Sequence, residues 1–374
     1  ILVLSFIVLI VLRIPVAWSI GIAAVITILA SGMPVIPALT TTAQRVVTGL
    51  DSFSILAIPF FILAGHIMNR GGIAKRLINF AKAIVGALPG GLAHVNIVSA
   101  MLFGAIAGSA GAAAAAIGSF MSDEMEKEGY NKEFGVAVNV TSATTGLIIP
   151  PSNIFIIYSL ASGGVSIGAL FLAGYIPGIL TGLFLMIVAY IWAKRKKYPT
   201  GNASSLKNIF TTFLQALPSL FLLIVVIGGI VAGIFTATEA SSVAVLYCLL
   251  LSFVYKEINF SDLKTILTES SETIAVVMML IAMSIAMSWV MSYEDIPQSV
   301  TASLLQISDN KITVLLTINL ILLFVGIFMD MTPAVLIFTP IFLPVVTALG
   351  IDPVHFGIIM VLNLCIGLCT PPVG

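Results

Sequence analysis

The side chains that could do chemistry in this chain lie at interruptions of long apolar segments. Gly108-Ser109-Ala110-Gly111 interrupts one segment, Met329-Asp330-Met331-Thr332-Pro333 interrupts a second, and Pro150-Pro151 removes two amide donors from a third. Unwound backbone offers carbonyl oxygens that suit a hard cation such as Na⁺, whereas the N-terminus of a half-helix offers free amides and a positive dipole to an anion. The interruptions therefore predict that a cation and a small anion bind at mid-membrane depth.

Each half of the chain is expected to hold one sodium site. Small residues let the backbone approach closely, and hydroxyls add oxygen ligands without a fixed charge. The first site combines Ser109, Ala110, Gly111, Thr144, Thr145, Gly146 and Pro150. The second combines Gly326, Met329, Asp330, Thr332, Gly367, Cys369 and Thr370. The alternative for Gly-Ser-Ala-Gly is a small-residue contact between membrane helices.

The anionic solute is expected beside the same interruptions. Ser152 and Asn153 open the half-helix behind the two prolines, where they can hydrogen-bond an anion or only cap the helix. Ser109 and Thr332 complete the predicted substrate-binding set. Since no arginine falls in these segments, a bidentate carboxylate clamp is not expected.

Asp330 is the only carboxylate deep within an apolar segment. Carboxylates inside a membrane are costly enough to be functional by default, and the alternative is a helix cap in a wet hairpin tip. The predicted role of Asp330 is to bind the coupling ion.

Enzymatic and transition-metal chemistry find little support. His66, His94 and His355 are scattered, without an HExxH motif, and all three cysteines lie in apolar runs rather than in a disulfide framework. An intramembrane hydrolase that pairs Ser109 with a histidine is a rival hypothesis, but the predicted topology puts His66 and His355 far from the tip. No cofactor is expected besides Na⁺ as the coupling ion.

Composition places these interruptions in a membrane. The 374 residues are 59% hydrophobic and 9% charged, where a soluble domain carries roughly 25% charged residues. Sixteen basic residues balance sixteen acidic ones, so no basic field exists to hold nucleic acid. The chain is predicted to be an all-α integral membrane protein.

The apolar segments give the elements that position the site. Segments 89–122 and 311–348 are too long for one crossing and break at mid-length, which predicts two re-entrant helical hairpins. Segment 133–162 is predicted to be one crossing made of two half-helices. The remaining segments, expected as spans, are 1–12, 14–31, 52–69, 168–193, 207–234, 237–255, 272–292 and 353–369.

The basic residues indicate which face is cytoplasmic. If both hairpins return to their own side, fourteen of the 16 Lys and Arg fall on one face, and only Arg45 and Lys311 fall on the other. By the positive-inside rule, the first face is cytoplasmic and the N-terminus of the chain is periplasmic. Counting either hairpin as a full crossing would spoil this asymmetry. The expected location is a bacterial inner membrane.

The chain repeats itself with a constant offset in residue number. Gly146-Leu147-Ile148-Ile149-Pro150-Pro151 recurs as Gly367-Leu368-Cys369-Thr370-Pro371-Pro372, which sets the repeat offset at 367 − 146 = 221. The same offset relates Ser109 to Asp330, Phe103 to Phe324 and Gly129 to Gly350. Five full crossings per half require the halves to be inverted, which is typical of secondary transporters. The repeat also predicts ~45–50 further residues after Gly374, enough for a half-helix and one span.

Four stretches follow from this repeat. Residues 1–88 are expected as scaffold helices with an interfacial arm, and 163–310 as their counterpart in the second half. Residues 89–162, with the first hairpin and broken helix, and 311–374, with the second hairpin and the start of the second broken helix, are expected to form a moving transport domain.

Six motifs along the whole chain form a specific set. They are Arg-Ile-Pro-Val-Ala-Trp at 13–18, Ile-Pro-Phe-Phe-Ile-Leu-Ala-Gly at 58–65, Gly-Ala-Ile-Ala-Gly-Ser at 104–109, Ile-Pro-Pro-Ser at 149–152, Thr-Ala-Thr-Glu-Ala at 236–240 and Met-Asp-Met-Thr-Pro-Ala at 329–334. Together they resemble the large membrane subunits of tripartite ATP-independent periplasmic (TRAP) transporters, and the plan is shared with sodium-coupled dicarboxylate transporters. One departure is Ala110 and Gly111, where the family often has a second Ser or Thr. These two positions keep only their backbone carbonyls as expected ligands.

The resemblance implies sodium-driven uptake of a small organic anion, such as a dicarboxylate, keto acid or sialic acid, by an elevator mechanism. It also implies two partners, a periplasmic substrate-binding protein and a small four-helix membrane subunit. The alternatives are a stand-alone sodium/dicarboxylate-type symporter that needs no binding protein, and a passive channel, which would not need an inverted repeat with paired tips.

Overall fold

A computed structural model describes residues 1–201, 204–307 and 310–370, which form eighteen α-helices. The first nine are α1 (Leu2–Val11), α2 (Val16–Ala30), α3 (Val35–Leu50), α4 (Ala57–Arg70), α5 (Ile73–Val85), α6 (Gly91–Ala107), α7 (Ala110–Lys127), α8 (Lys132–Ala143) and α9 (Thr145–Ile148). The others are α10 (Asn153–Ala161), α11 (Ile167–Lys196), α12 (Leu206–Val231), α13 (Ala237–Val254), α14 (Phe260–Tyr293), α15 (Ile296–Ile307), α16 (Lys311–Phe328), α17 (Met331–Ala348) and α18 (Pro353–Leu368). A short 3₁₀ turn, Phe53–Leu56, precedes α4.

The helices confirm an integral membrane architecture. Among the described residues, seven helices are long and apolar enough to cross a bilayer, or up to eight if one bent pair counts as a single span. That bent pair is Lys132–Ile148 with Asn153–Ala161, which meet at 52° around the predicted Pro-Pro break. The first broken helix is therefore confirmed, whereas Pro371 and Pro372 of the second lie outside the described residues.

The repeat predicted from the sequence is present in the helix boundaries. Each of three helices in the first half starts exactly one repeat offset before a helix in the second half. The pairs are α2 and α13 (237 − 16), α7 and α17 (331 − 110), and α8 and α18 (353 − 132). The offset between sequence motifs thus reflects a repeated order of elements.

The ends of both hairpins share their local chemistry. Gly129 after α7 and Gly350 after α17 have φ of 82° and 69°, a left-handed conformation that favours glycine. Two residues on, Asn131 accepts a hydrogen bond from the amide of Glu133, and Asp352 accepts bonds from the amides of Val354 and His355. Gly129 and Asn131 are the repeat mates of Gly350 and Asp352, so the same turn and cap restart the chain after each hairpin.

Contacts at the base of each hairpin show that its two helices are antiparallel, as a re-entrant hairpin requires. In the first, Lys82 in α5 pairs with Glu124 near the end of α7. In the second, a Cβ on Gly350 after α17 would lie 3.4 Å from Nζ of Lys311 at the start of α16. The chain therefore leaves each hairpin beside the point where it entered.

Three details differ from the expectations. The helix α3 lies between two predicted spans, where the sequence predicted no element, and its Thr, Gln and Arg residues keep it outside the helices apolar enough to cross a bilayer. The helix α14 has 34 residues and extends through Asp262, Lys264 and Glu269 before its apolar part. Phe103 is buried whereas its repeat mate Phe324 is exposed, so these two phenylalanines do not share an environment.

The chain divides into two compact units. One unit comprises residues 57–155 and 167–270; in it α6 packs against α5, α7, α8, α9 and α11. The other comprises residues 1–56, 156–166 and 271–374; in it α18 packs against α16 and α17. Each unit thus contains one hairpin together with the helix that follows it. The division into scaffold and transport stretches stays a prediction.

Candidate ion and solute sites

The first hairpin tip is a two-residue turn between α6 and α7. Gly108 ends α6 with φ 60°, and Ser109 is extended, with φ −142°, as the N-cap of α7. Its Oγ accepts a hydrogen bond of 3.3 Å from the amide of Ala112. The structure thus supports a capping role for Ser109, which leaves one lone pair and the hydroxyl hydrogen for a ligand.

The first tip lies directly against the break in the broken helix. A Cβ on Gly108 would come within 3.2 Å of the carbonyl oxygen of Pro151 and of the amide nitrogen of Asn153. One turn earlier, a Cβ on Gly104 would overlap the Cα of Gly146. Because side chains are absent at these points, the tip, the break and the N-terminus of α10 share one small region.

The hydroxyls predicted around the first break are engaged with the backbone. The Oγ1 of Thr145 donates to the backbone carbonyl of Ser142 at 2.6 Å, and the Oγ1 of Thr144 donates to the backbone carbonyl of Thr141 at 2.8 Å. Buried Ser152 donates to the carbonyl of Leu147. Since their hydrogens are used in this way, these oxygens keep lone pairs that suit a cation.

Asn153 differs from its neighbours because its polar group is unsatisfied. The residue is 9% exposed, and its Oδ1 has no hydrogen-bond partner among the described residues. Burying an unpaired amide oxygen costs about 1–3 kcal/mol. A buried orphan at the N-terminus of α10, beside the hairpin tip, indicates a position for a ligand or an ordered water.

Ala110 and Gly111 lie inside the first turn of α7 rather than in unwound backbone. In a first turn the amides are free while the carbonyls accept hydrogen bonds from the next turn. The carbonyls of these two residues therefore accept within the helix, which leaves one lone pair on each oxygen, and their assignment to the sodium site stays a prediction. Their free amides suit an anion.

The second tip has the same construction with a different side chain. Met329, 8% exposed, ends α16 in an extended conformation, and Asp330 occupies the N-cap of α17. The Asp330 side chain makes no capping hydrogen bond and is exposed. Thr332 follows in the first turn of α17 and is half-buried. The carboxylate thus occupies the position of a helix cap without acting as one.

The second tip helix also approaches its partner helix through glycine. A Cβ on Gly326 would lie 2.9 Å from Cα of Gly367. Near the end of α18, the Oγ1 of Thr370 donates to the backbone carbonyl of Gly367 at 2.5 Å. The thiol of Cys369 donates to the backbone carbonyl of Cys365 at 3.4 Å. The pieces of the second predicted site that the structure describes therefore follow the plan of the first.

One pair of polar contacts was not predicted. In the first half, the hydroxyl of Ser142 in α8 donates to Oδ1 of Asn96 in α6 at 3.0 Å. In the second half, the amide of Asn363 in α18 donates to Oδ1 of Asn319 in α16 at 2.6 Å. Ser142 and Asn363 are repeat mates (363 − 142 equals the repeat offset), so the repeat contained a signal for these residues.

The fold and the paired tips define a class of protein. An all-α membrane protein with a repeated order of elements, two helical hairpins and a broken helix is built as a secondary transporter. The chain belongs to the family described as "Tripartite ATP-independent periplasmic transporter, DctM component", which it matches over residues 3–374. The resemblance stated from the motifs is confirmed.

Named relatives agree with this assignment, and a solved structure has a similar fold. The chain is 55% identical over 370 residues to YgiK of Salmonella typhimurium, covering 99% of this chain and 85% of YgiK. It is 41% identical over 333 residues to the sialic acid TRAP transporter large permease SiaM of Vibrio cholerae, covering 89% and 78%.

It is also 42% identical over 368 residues to the isethionate TRAP transporter permease DctMQ of Oleidesulfovibrio alaskensis, covering 97% of this chain and 57% of that longer protein. The YdaH transporter of Alcanivorax borkumensis has a similar fold, with a TM-score of 0.62 at 12% identity, over 90% of this chain and 79% of YdaH.

Proposed function

We propose that the protein drives sodium-coupled uptake of a small organic anion across a bacterial inner membrane. The observation that carries the proposal is the hairpin tip held against a broken helix, where free backbone amides of α7, which suit an anion, lie near the unpaired side-chain oxygen of Asn153, which suits a cation. Relatives in the family are named for C4-dicarboxylate, sialic acid, 2,3-diketo-L-gulonate and isethionate, all small organic anions.

The coupling ions occupy one site per half. In the first half, lone pairs of Thr144, Thr145 and Ser109 and the carbonyls around Gly146 and Pro150 supply neutral oxygens. In the second half, Asp330 adds a formal charge, and Thr332 and Thr370 add hydroxyls. The uncapped, exposed carboxylate of Asp330 supports a stronger electrostatic contribution at the second site.

The anion binds at helix N-termini. The amides of Ala110 and Gly111 at the start of α7 lie at the first tip together with Ser109 and Asn153. The hydroxyl of Ser152 does not donate to the anion, because its hydrogen is bonded to the carbonyl of Leu147. Thr332 holds the equivalent position in the first turn of α17. A positive helix dipole with free amides recognises a carboxylate or sulfonate without needing a basic side chain.

The hairpins and broken helices move together as an elevator, with the basic face of the chain in the cytoplasm and the N-terminus in the periplasm. A periplasmic binding protein delivers the solute, and a small four-helix membrane subunit packs on the static helices. The name of the DctMQ relative supports this partnership, because the chain covers 57% of that longer permease.

Reconstituted transport tests the proposal. The full-length protein is placed in proteoliposomes with its small membrane subunit, and uptake of a labelled organic anion is measured with and without an inward Na⁺ gradient and the binding protein. Accumulation that requires both supports the proposal. Accumulation with Na⁺ alone assigns a stand-alone symporter, and downhill flux without Na⁺ dependence assigns a channel; either result overturns it.

A further inference from the structure

An apolar groove lies between α8 and α11, within one compact unit and away from the hairpin tips. Its volume is about 570 Å³. Buried Ile97, Val138 and Ala189 form its floor, whereas exposed Val188 and Trp192 form its rim. The groove is therefore an apolar trough that opens at the surface of the helices.

Aromatic rings close the end of the groove at the basic face. The ring of Tyr198 stacks on that of Tyr130 with centroids 4.5 Å apart, and the ring of Phe134 stacks on that of Trp192 at 6.3 Å. The backbone amide of Asn131 donates to the hydroxyl of Tyr198 at 3.2 Å. These contacts tie the end of α11 to the turn before α8. Aromatic residues of this kind are enriched where a membrane meets water.

A basic side chain stands at the closed end. Lys196 lines the groove, and its Nζ lies 5.7 Å from the centroid of the Trp192 ring. Among the described residues Lys196 forms no ion pair, although Glu133 also lines the groove. The run Lys194-Arg195-Lys196-Lys197 gives this end a net positive charge.

We propose that the groove holds an acyl chain of an anionic phospholipid, with the lipid phosphate at Lys196. Basic pockets between membrane helices on the cytoplasmic side recognise anionic headgroups, and here the apolar trough continues directly from the basic end. The helices α8 and α11 are in contact with each other, so the groove is a surface trough and not a gap between separated helices. The basic Lys196 next to an apolar floor matches a phosphate followed by an acyl chain, and this charge pattern favours a lipid over a helix of a partner subunit.

Quenching of Trp192 fluorescence tests this directly, because the ring lies on the rim. These 374 residues contain three tryptophans, so Trp18→Phe and Trp289→Phe, with any tryptophan outside them also replaced by Phe, leave Trp192 as the sole reporter. The full-length protein, delipidated in detergent, is titrated with phosphatidylglycerol or phosphatidylcholine that carries bromine at mid-chain. Saturable quenching is expected, with phosphatidylglycerol effective at a lower mole fraction.

Two variants separate the headgroup from the chain. Lys196→Ala should weaken phosphatidylglycerol binding roughly fivefold, the effect of one basic residue near an anionic lipid surface, and should weaken binding of phosphatidylcholine, whose headgroup has no net charge, less. Lys207→Ala, at the start of α12 and outside the groove, is the matched control and should change neither titration. Ala137→Phe fills the groove and should lower quenching by both lipids, while thermal unfolding reports whether that variant is folded.

Three results would overturn the proposal. Equal, unsaturable quenching by both lipids would mean that Trp192 meets only bulk lipid. Unchanged phosphatidylglycerol binding in Lys196→Ala would remove the headgroup site. Loss of quenching when the small membrane subunit is added would mean that a protein segment covers the groove.

Discussion

Gly104 of α6 lies so close to Gly146 of α9 that a Cβ on Gly104 would overlap the Gly146 Cα. No rotamer change can relieve this contact, because the neighbouring atom is backbone. Gly104→Ala must therefore push the first hairpin away from the broken helix, at a cost of about 1–3 kcal/mol for overpacking. We expect a lower unfolding temperature in detergent and loss of Na⁺-driven uptake.

The chain offers a control variant for this substitution and a second variant with an intermediate expected effect. Gly228→Ala in α12 meets nothing within 4 Å, so it should leave both unfolding temperature and uptake unchanged. Gly326→Ala, where the added Cβ would lie 2.9 Å from the Cα of Gly367 and overlap it less, should lie between these two variants. Equal behaviour of Gly104→Ala and Gly228→Ala would mean that the tip and the break are not held together by this contact.

Asp330→Asn should weaken sodium coupling without destabilising the protein. The carboxylate caps no amide of α17, so its loss costs no helix hydrogen bond. A charged contact to an ion contributes about 1.5–3 kcal/mol, so the Na⁺ concentration at half-maximal uptake should rise at least roughly tenfold. The measurement is the Na⁺ dependence of uptake in proteoliposomes, with thermal unfolding as the check on folding.

Asp352→Ala is the matched control, because Asp352 caps α18 through the amides of Val354 and His355. This substitution should cost about 1 kcal/mol of stability and leave the Na⁺ dependence unchanged. A pattern in which Asp330→Asn destabilises the protein and leaves Na⁺ dependence intact would reduce Asp330 to a structural residue.

The sequence predicts the repeat and the interruptions well, because glycine, proline and a lone carboxylate are costly in apolar helices. Ser109 and Asp330 are both found at N-caps, and the Pro150-Pro151 break is where it was expected. What the sequence does not predict is the end of each helix to the residue: Ala110 and Gly111 read as unwound but form the first turn of α7. That boundary decides whether an amide or a carbonyl faces a ligand.

Packing partners are also not predictable from one sequence. Nothing in the sequence distinguishes Gly104 and Gly326 from other helical glycines. Their importance follows from the close approach to Gly146 and Gly367, which only the structure shows. Likewise the helix α3 was not predicted, since its segment contains Thr, Gln and Arg residues and no continuous apolar run.

Arg76 should matter more for stability than the more exposed Arg70. Arg76 donates to the carbonyl of Gly72 at 2.8 Å, pairs with Glu257 at 3.6 Å and lies 3.5 Å from the centroid of the Tyr255 ring. These contacts join the start of α5 to the turn between α13 and α14. Arg76→Ala should cost about 2 kcal/mol, measured as a shift in thermal unfolding.

Two variants test the geometry of this contact. Arg70→Ala removes a pair with Glu269 in which both side chains are 41% exposed, so the loss should stay below about 1 kcal/mol. Arg76→Lys keeps the charge without the planar stacking surface and should recover only part of the stability. Full recovery by lysine would show that charge alone holds the two segments together.

Asn96 and Ser142 should prove energetically coupled. Ser142→Ala leaves the buried side-chain oxygen of Asn96 without its hydrogen-bond donor. The bond itself contributes about 1–2 kcal/mol in a membrane setting, and the single substitution should cost more than that. In Asn96→Leu the orphan is absent, and adding Ser142→Ala to it should cost less than Ser142→Ala alone. The double-mutant cycle, measured by thermal unfolding, gives the coupling energy.

The second half provides a repeat of the same cycle with Asn319 and Asn363. Because Asn363 is buried and its own Oδ1 lacks a partner among the described residues, Asn363→Leu removes an existing orphan as well as a bond. We therefore expect a smaller net loss for Asn363→Leu than for Ser142→Ala. Additive changes in both cycles would contradict the inference that these polar contacts tie each hairpin to the helix that follows it.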